Sequence, residues 1–256
     1  MSSTPRPAID VRALEKSYGD QRVLRGVDLE VRRGETLVIL GGSGSGKSTL
    51  LRCLVGLERP DAGSVRVCDT DIFAADRTSL AALRKRMGMA FQGGALFGSM
   101  TVAENVELPL AEFTDVPEST RRIIARIKLG MVGLEDAMDR LPSELSGGMR
   151  KRAALARALA LDPEILFFDE PSAGLDPVSA RRLDDLIIEL RDSLGTTMVV
   201  VTHELASIFA IANNSAFLDP ETKTMIAHGD PKKLLAESQD PKVIEFLTRG
   251  EGREKP

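Results

Sequence analysis

The chain has 256 residues, with 34 Lys and Arg against 38 Asp and Glu, a formal net charge of −4 and a pI near 5.4; that balance argues against a nucleic-acid binder, which needs a basic face to neutralise phosphates. Hydrophobic content of 43% with 28% charged residues excludes wholesale disorder, at a length of between one and two domains. No apolar run approaches the ~18–20 residues of a membrane span, the start Met1–Pro7 has no signal-like apolar core, and the two cysteines, Cys53 and Cys68, suit a reducing compartment, so a soluble cytosolic chain that serves any membrane process from its surface is expected.

In chain order, Ile9, Val11, Val23, Val27, Leu29 and Val31 alternate with polar residues around turns at Gly19-Asp20 and Arg33-Gly34. That period of two predicts short antiparallel strands. Thr36–Leu40 is a compact apolar run, followed by a Gly/Ser cluster and by Leu50, Leu51 and Leu54 at helical spacing, which reads as strand, loop, helix. The loop, Gly41-Gly42-Ser43-Gly44-Ser45-Gly46-Lys47-Ser48, fits the phosphate-loop pattern with both flanks correct. Glycines there let backbone N–H groups converge on phosphates at a helix N-terminus, Lys47 supplies a cation for the γ-phosphate, and the Ser48 hydroxyl suits Mg²⁺.

Gln92 follows the run Gly88–Phe91; by itself a glutamine at a strand end is a solvated amide. From Thr101 to Ala160 the pattern turns helical, and Ile123, Ile127 and Met131 form one apolar stripe. Leu145-Ser146-Gly147-Gly148-Met149 opens an alanine-rich helix, Arg150–Ala160, with Ser146 as its N-cap. One reading is a capped helix with a solvated basic face at Arg150, Lys151 and Arg152. The other is a second anion site, which makes sense if two chains pack head to tail and each Ser-Gly-Gly closes over its partner's nucleotide.

Ile165–Phe168 and Met198–Val201 are short apolar strands ending in Asp169-Glu170 and, past Thr202, in His203. An Asp-Glu pair after a strand is commonly a solvated turn. Beside a phosphate loop it reads as Asp169 in the Mg²⁺ shell and Glu170 as the group that orients and deprotonates water. A lone histidine at a strand's end is commonly a hydrogen-bonded structural residue; because parallel strands present their C-terminal ends to one crevice, the other reading is that His203 contacts the γ-phosphate and holds the water with Glu170. Strands alternating with helices indicate a parallel sheet covered on both faces. We expect one domain spanning 1–256: core and β-subdomain over about 8–100 and 161–245, a helical insert over 101–160, and a charged tail at 249–256 that frays.

With these residues in hand, the chain resembles the ATP-binding cassette family. The phosphate loop, Leu145–Met149, Asp169-Glu170, Ser172-Ala-Gly-Leu175-Asp176 and His203 occur in that family's order over nearly the whole chain. The resemblance implies an α/β fold, a P-loop NTPase (RecA-like) core with an antiparallel β-subdomain and an inserted α-helical subdomain. It also implies ATP and Mg²⁺ as cofactors and a homodimeric ATP sandwich in which Tyr18 stacks on adenine. Gln92 would contact Mg²⁺ and sense the membrane partner. Thr49 and Asp176 would join the phosphate loop, Ser146, Gly147 and Gly148 among the nucleotide contacts, with Gly174–Asp176 crossing the dimer interface. Met149 departs from the glutamine common at its position. A narrower resemblance, to the Mla-type lipid-asymmetry ATPases that work with MCE-domain proteins, rests on Phe91–Phe97, Met100–Val106, Leu108-Pro109-Leu110, Pro142–Met149, Arg152–Arg157 and Ile226–Gly229. It implies two multi-span permease subunits, an MCE-domain lipid-binding protein, no nucleic acid, and a peripheral position on the cytoplasmic face of the inner membrane. The other transport reading is an amino-acid or small-solute importer ATPase. A ribosome- or DNA-directed cassette would carry two cassettes or coiled-coil arms, and a scaffold without turnover would not need both Glu170 and His203.

Overall fold

The computed structural model describes residues 6–249; the tail singled out above lies, Arg249 apart, outside the described residues. In chain order it builds β1 (Ile9–Tyr18), β2 (Gln21–Val31), β3 (Thr36–Leu40), α1 (Lys47–Leu54), β4 (Ala62–Val67), β5 (Thr70–Asp71), α2 (Arg77–Lys85) and β6 (Met87–Ala90). The middle of the chain is α3 (Val102–Phe113), α4 (Glu118–Met131), two short 3₁₀ turns and α5 (Gly147–Ala158). Then follow β7 (Ile165–Asp169), α6 (Pro177–Leu194), β8 (Thr197–Val201), α7 (Leu205–Ile211), β9 (Asn214–Leu218), β10 (Met225–Gly229), α8 (Pro231–Glu237) and α9 (Pro241–Leu247).

The strands form two sheets. One is antiparallel, ordered β2-β1-β4-β5, with Ile9 opposite Val31 and Tyr18 opposite Gln21 across the Gly19-Asp20 turn. Its first two strands are long, and β4 and β5 lie outside the alternation read in the first thirty-five residues. The other is ordered β10-β9-β3-β8-β7-β6, parallel except for the β9–β10 hairpin at one edge.

The central strands are buried on both faces, which is why they read as continuous apolar runs. Because successive side chains alternate across a strand, each strand feeds two cores. Leu37, Ile39, Ile165, Phe167, Val199 and Val201 pack with α1 and the antiparallel sheet. Val38, Leu40, Leu166, Phe168, Met198 and Val200 pack under the helices. Glu164, just before β7, ties the two sheets together: Arg86 Nε and Nη2 donate to it at 2.6 and 2.9 Å, and Arg33 Nη1 at 2.9 Å from the turn after β2. The hydrogen bonds from Arg86, then those from Arg33, hold its carboxyl at about 2.

In the helical segment, Ile123 and Ile127 share a stripe on α4 as read, and that stripe faces solvent, with the two residues 59% and 57% exposed; of the three, Met131 packs against the core. The buried face is Ala125, Lys128 and Leu129, with Ile124 beside them, and the Lys128 ammonium pairs with Asp162. α3 begins with a reciprocal capping box: Glu104 N donates to Thr101 Oγ1 and Thr101 N to the Glu104 carboxylate. The fully buried Asn105 amide then knots the preceding loop, accepting from Phe97 N at 2.7 Å and donating to the carbonyls of Phe97, Met100 and Thr101. No helix among the described residues is long and apolar enough to cross a membrane.

Candidate active site

The C-terminal ends of β3, β7 and β8 open on one cleft of about 1120 Å³, lined by Gly41, Gly42, Ser43, Gly44, Lys47, Ser48, Gln92, Asp169, Glu170 and His203. Local backbone geometry makes the loop. Gly41 and Gly46 have φ of +144° and +97°, and a Cβ on Gly41 would lie 2.3 Å from the Leu218 carbonyl, so only glycine fits there. α1 starts at Lys47 with Gly46 as an N-cap that offers no side chain, so the first N–H groups of the helix have no side-chain acceptor. Ser45 and Thr49 are buried behind the loop. Lys47 Nζ folds back to donate to the carbonyls of Gly41 and Gly42 at 2.8 and 2.9 Å. Burial lowers its pKa, opposed by the charge of Glu170.

Across the cleft, Glu170 Oε1 sits 2.8 Å from His203 Nδ1, and Glu170 Oε2 is buried with no partner among the described residues. The Glu170 backbone is left-handed, φ +49°, a conformation a glutamate holds only where its surroundings impose it. Its N–H donates to Val201 O at 2.8 Å. Asp169 ends β7 opposite Val201, its carboxyl pushed up by burial and then by the adjacent Glu170, with Arg52 opposing. The Asp169 carboxylate, the Ser48 hydroxyl and the Gln92 amide line the same cleft and are an oxygen donor set that fits Mg²⁺.

Other predicted residues lie outside this lining. Tyr18 donates its hydroxyl to Glu58 Oε2 at 2.5 Å, with Lys16 Nζ 5.5 Å from its ring centroid. Ser146 caps α5 by accepting from Met149 N at 3.3 Å, so that helix starts at Gly147 rather than Arg150. Asp176 caps α6, accepting from Val178 N and Ser179 N, and hydrogen bonds from Ser179 lower its pKa. Gly147 and Gly148 lie against Leu175, so the two loops form one surface of the same chain, away from the phosphate cleft.

The basic face expected at the start of α5 is not simply solvated. Arg152 Nη1 donates to the carbonyls of Val132 and Gly133, Arg150 Nη1 to Leu145 O, and Lys151 Nζ to Glu170 O. Arg157, farther along, donates to the carbonyls of Ala95 and Gly94 at 2.7 and 2.9 Å, holding the segment after Gln92 on this helix. Sequence reasoning also missed the far wall of the cleft, where Lys242 of α9 bridges Asp219 and Glu221 and Phe246 stacks edge-on against Phe217. No local motif marked these residues.

Residues 24–173 match the ABC transporter family. The chain is 43% identical over 239 residues to MlaF of Escherichia coli, an intermembrane phospholipid transport system ATP-binding protein, covering 93% of this chain and 88% of that one. It is 42% identical over 240 residues to the Mkl protein of Mycobacterium leprae, named for ribonucleotide transport, covering 94% of this chain and 68% of that one. Among solved structures, a dimeric ATP-binding cassette in a post-hydrolysis state bound to ADP and Pi superposes with a TM-score of 0.79 at 31% identity, over 87% of this chain and 98% of that one. The CbiO1 cassette of Clostridium perfringens, part of a CbiONQ transporter complex, does so at 0.82 and 30%, over 96% and 97%.

Proposed function

Because the chain belongs to the ABC transporter family and is an ATPase of that family, we propose that it energises a transporter moving phospholipid between membranes. The observation that carries the chemistry is the Glu170–His203 pair, 2.8 Å apart and facing the phosphate loop across one cleft. Lys47 and the open N-terminus of α1 bind the phosphates of ATP. His203 holds Glu170 through Oε1, leaving Oε2 to take the proton of a water. The water oxygen attacks the γ-phosphorus, the bond to the bridging oxygen breaks, and ADP and phosphate leave. Ser48, Asp169 and Gln92 would hold Mg²⁺, which neutralises charge on the β- and γ-phosphates when bound. Tyr18 supplies a ring for adenine. A second copy brings Ser146, Gly147, Gly148 and Asp176 to the open side of the cleft, so the site is complete only in a head-to-tail dimer.

The dimer docks beneath two permease subunits at the cytoplasmic face of the inner membrane and works with an MCE-domain protein. An apolar groove beside Gln92, lined by Phe91, Phe97, Leu108, Pro109 and Phe113, supports that docking, with Phe97 half exposed. The phospholipid reading is favoured by the match over 88% of the MlaF chain. The name of the Mkl relative favours a ribonucleotide, a small-solute cargo, as the second reading. Reconstitution with the permease decides between them: ATP-dependent transfer of labelled phospholipid from vesicles to an acceptor is expected. Uptake of a small solute with no lipid movement would favour the second reading.

A further inference from the structure

We infer that Lys151 is a positioning residue for Glu170, a role that rests on the reading of Glu170 as the proton acceptor. Lys151 lies on α5, five residues after Ser146, and its Nζ donates to the Glu170 carbonyl at 3.2 Å. Its ammonium is half-buried, which lowers its pKa, while the charge of Glu170 raises it. An ammonium taken partly out of water and pointed at a main-chain oxygen is costly to hold unless that oxygen needs it.

Glu170 is the residue that needs it. Its φ of +49° puts a side-chain-bearing residue in the left-handed region, where the backbone stays only if it is pinned from both ends. One end is pinned by Val201 O, which accepts from Glu170 N at 2.8 Å. At the other end the Glu170 carbonyl accepts from Ala173 N at 3.3 Å, a long turn bond, and from Lys151. The peptide orientation aims the carboxylate at His203 and leaves Oε2 buried and without a partner among the described residues. Lys151 therefore joins two parts of the reaction: the helix whose N-terminus serves the partner's nucleotide, and the carboxylate that serves its own.

The test is ATP hydrolysis and ATP binding by the full-length chain carrying Lys151→Met, Lys151→Gln or Lys151→Arg. Lys151→Met is expected to lower kcat about tenfold or more, up to the ~10²-fold that a 1 Å misplacement of a reacting group costs, with KM and the dissociation constant for ATP unchanged. Lys151→Arg keeps a long cationic donor and should restore most of the rate. In single-turnover reactions, adding Lys151→Met to Glu170→Gln should cost little more than Glu170→Gln alone, since the lysine acts through the carboxylate. Wild-type kcat in Lys151→Met, parallel loss of rate and ATP affinity without rescue by arginine, or a full further loss in the Glu170→Gln background would each overturn the assignment. If Lys151→Met does not fold, Lys151→Gln against Lys151→Arg decides: a lower kcat at unchanged affinity in the first alone supports it, and equal behaviour overturns it. Retained hydrolysis in Glu170→Gln by itself would instead overturn the reading of Glu170.

Discussion

Two helices of this chain begin beside glycines, and their ends are built differently. α1 opens after Gly46, which has no side chain to cap it, and its first residues, Lys47 and Ser48, line the cleft. α5 opens at Ser146, whose hydroxyl already accepts from Met149 N, and its Gly147 and Gly148 lie on a surface away from that cleft. In the dimer proposed above, the first end would receive phosphate within its own chain and the second would meet that of its partner. The difference teaches that an uncapped helix start leaves its N–H groups for a ligand, whereas a capped one is already satisfied by its own side chain.

Removing the proton acceptor has the largest expected effect on that arrangement. Glu170→Gln should leave ATP binding intact while hydrolysis falls by at least ~10²-fold, the lower range for losing a general base. The dimer should then accumulate in its ATP-bound form, read by size-exclusion chromatography. Docking comes next. Phe97→Asp places a charge in the apolar groove and should abolish co-purification with membrane subunits, yet leave folding and ATP binding unchanged, because an exposed position tolerates a charge in water. Normal assembly of that variant would move the docking surface elsewhere.

The division between the two helix ends is tested more directly by mixing variants. Lys47→Ala breaks the α1 half and a Ser146 variant the α5 half, so each homodimer has two damaged sites. A mixed dimer holds both lesions in one site and keeps the other whole, so activity above either parent is expected on mixing. Nucleotide-dependent cross-linking of position 146 to the partner's phosphate loop checks the same arrangement without turnover. The smallest effect is at Glu164, far from both ends. Its carboxyl is held at about 2 in the folded chain, below the ~4.3 of an unfolded glutamate. Its contribution is thus complete above the unfolded value and is lost as pH falls toward 2. Glu164→Gln should lower stability at pH 7 by no more than about 1 kcal/mol for so exposed a cluster, with the gap to the native chain closing in acid melts.

Much of the cleft was legible because its chemistry is local. Gly41–Ser48, Asp169-Glu170 and His203 follow strands whose apolar runs are visible in the chain, and β3 spans Thr36–Leu40 as read. The helical segment shows the limit. Ile123 and Ile127 have the right spacing for a buried stripe, yet α4 turns Ala125 and Leu129 inward and seats Lys128 beside them. Periodicity reports that a helix has a stripe; it does not say which stripe a neighbour covers.

The sequence by itself determined the elements whose signals lie within a few residues: the phosphate loop, the central strands and the cap at Ser146. Backbone conformation and helix starts are decided by short-range sterics and hydrogen bonds, which a local string encodes. Only the tertiary structure decided what meets across the chain. It brought Lys151 to Glu170, Arg157 to Gly94 and Ala95, Asn105 to the Phe97 loop, and α9 to the far wall of the cleft. These contacts depend on which helix faces pack and where each strand sits in the sheet. Arg150, Lys151 and Arg152 therefore look like one basic run in the chain, yet in the fold Lys151 alone reaches Glu170.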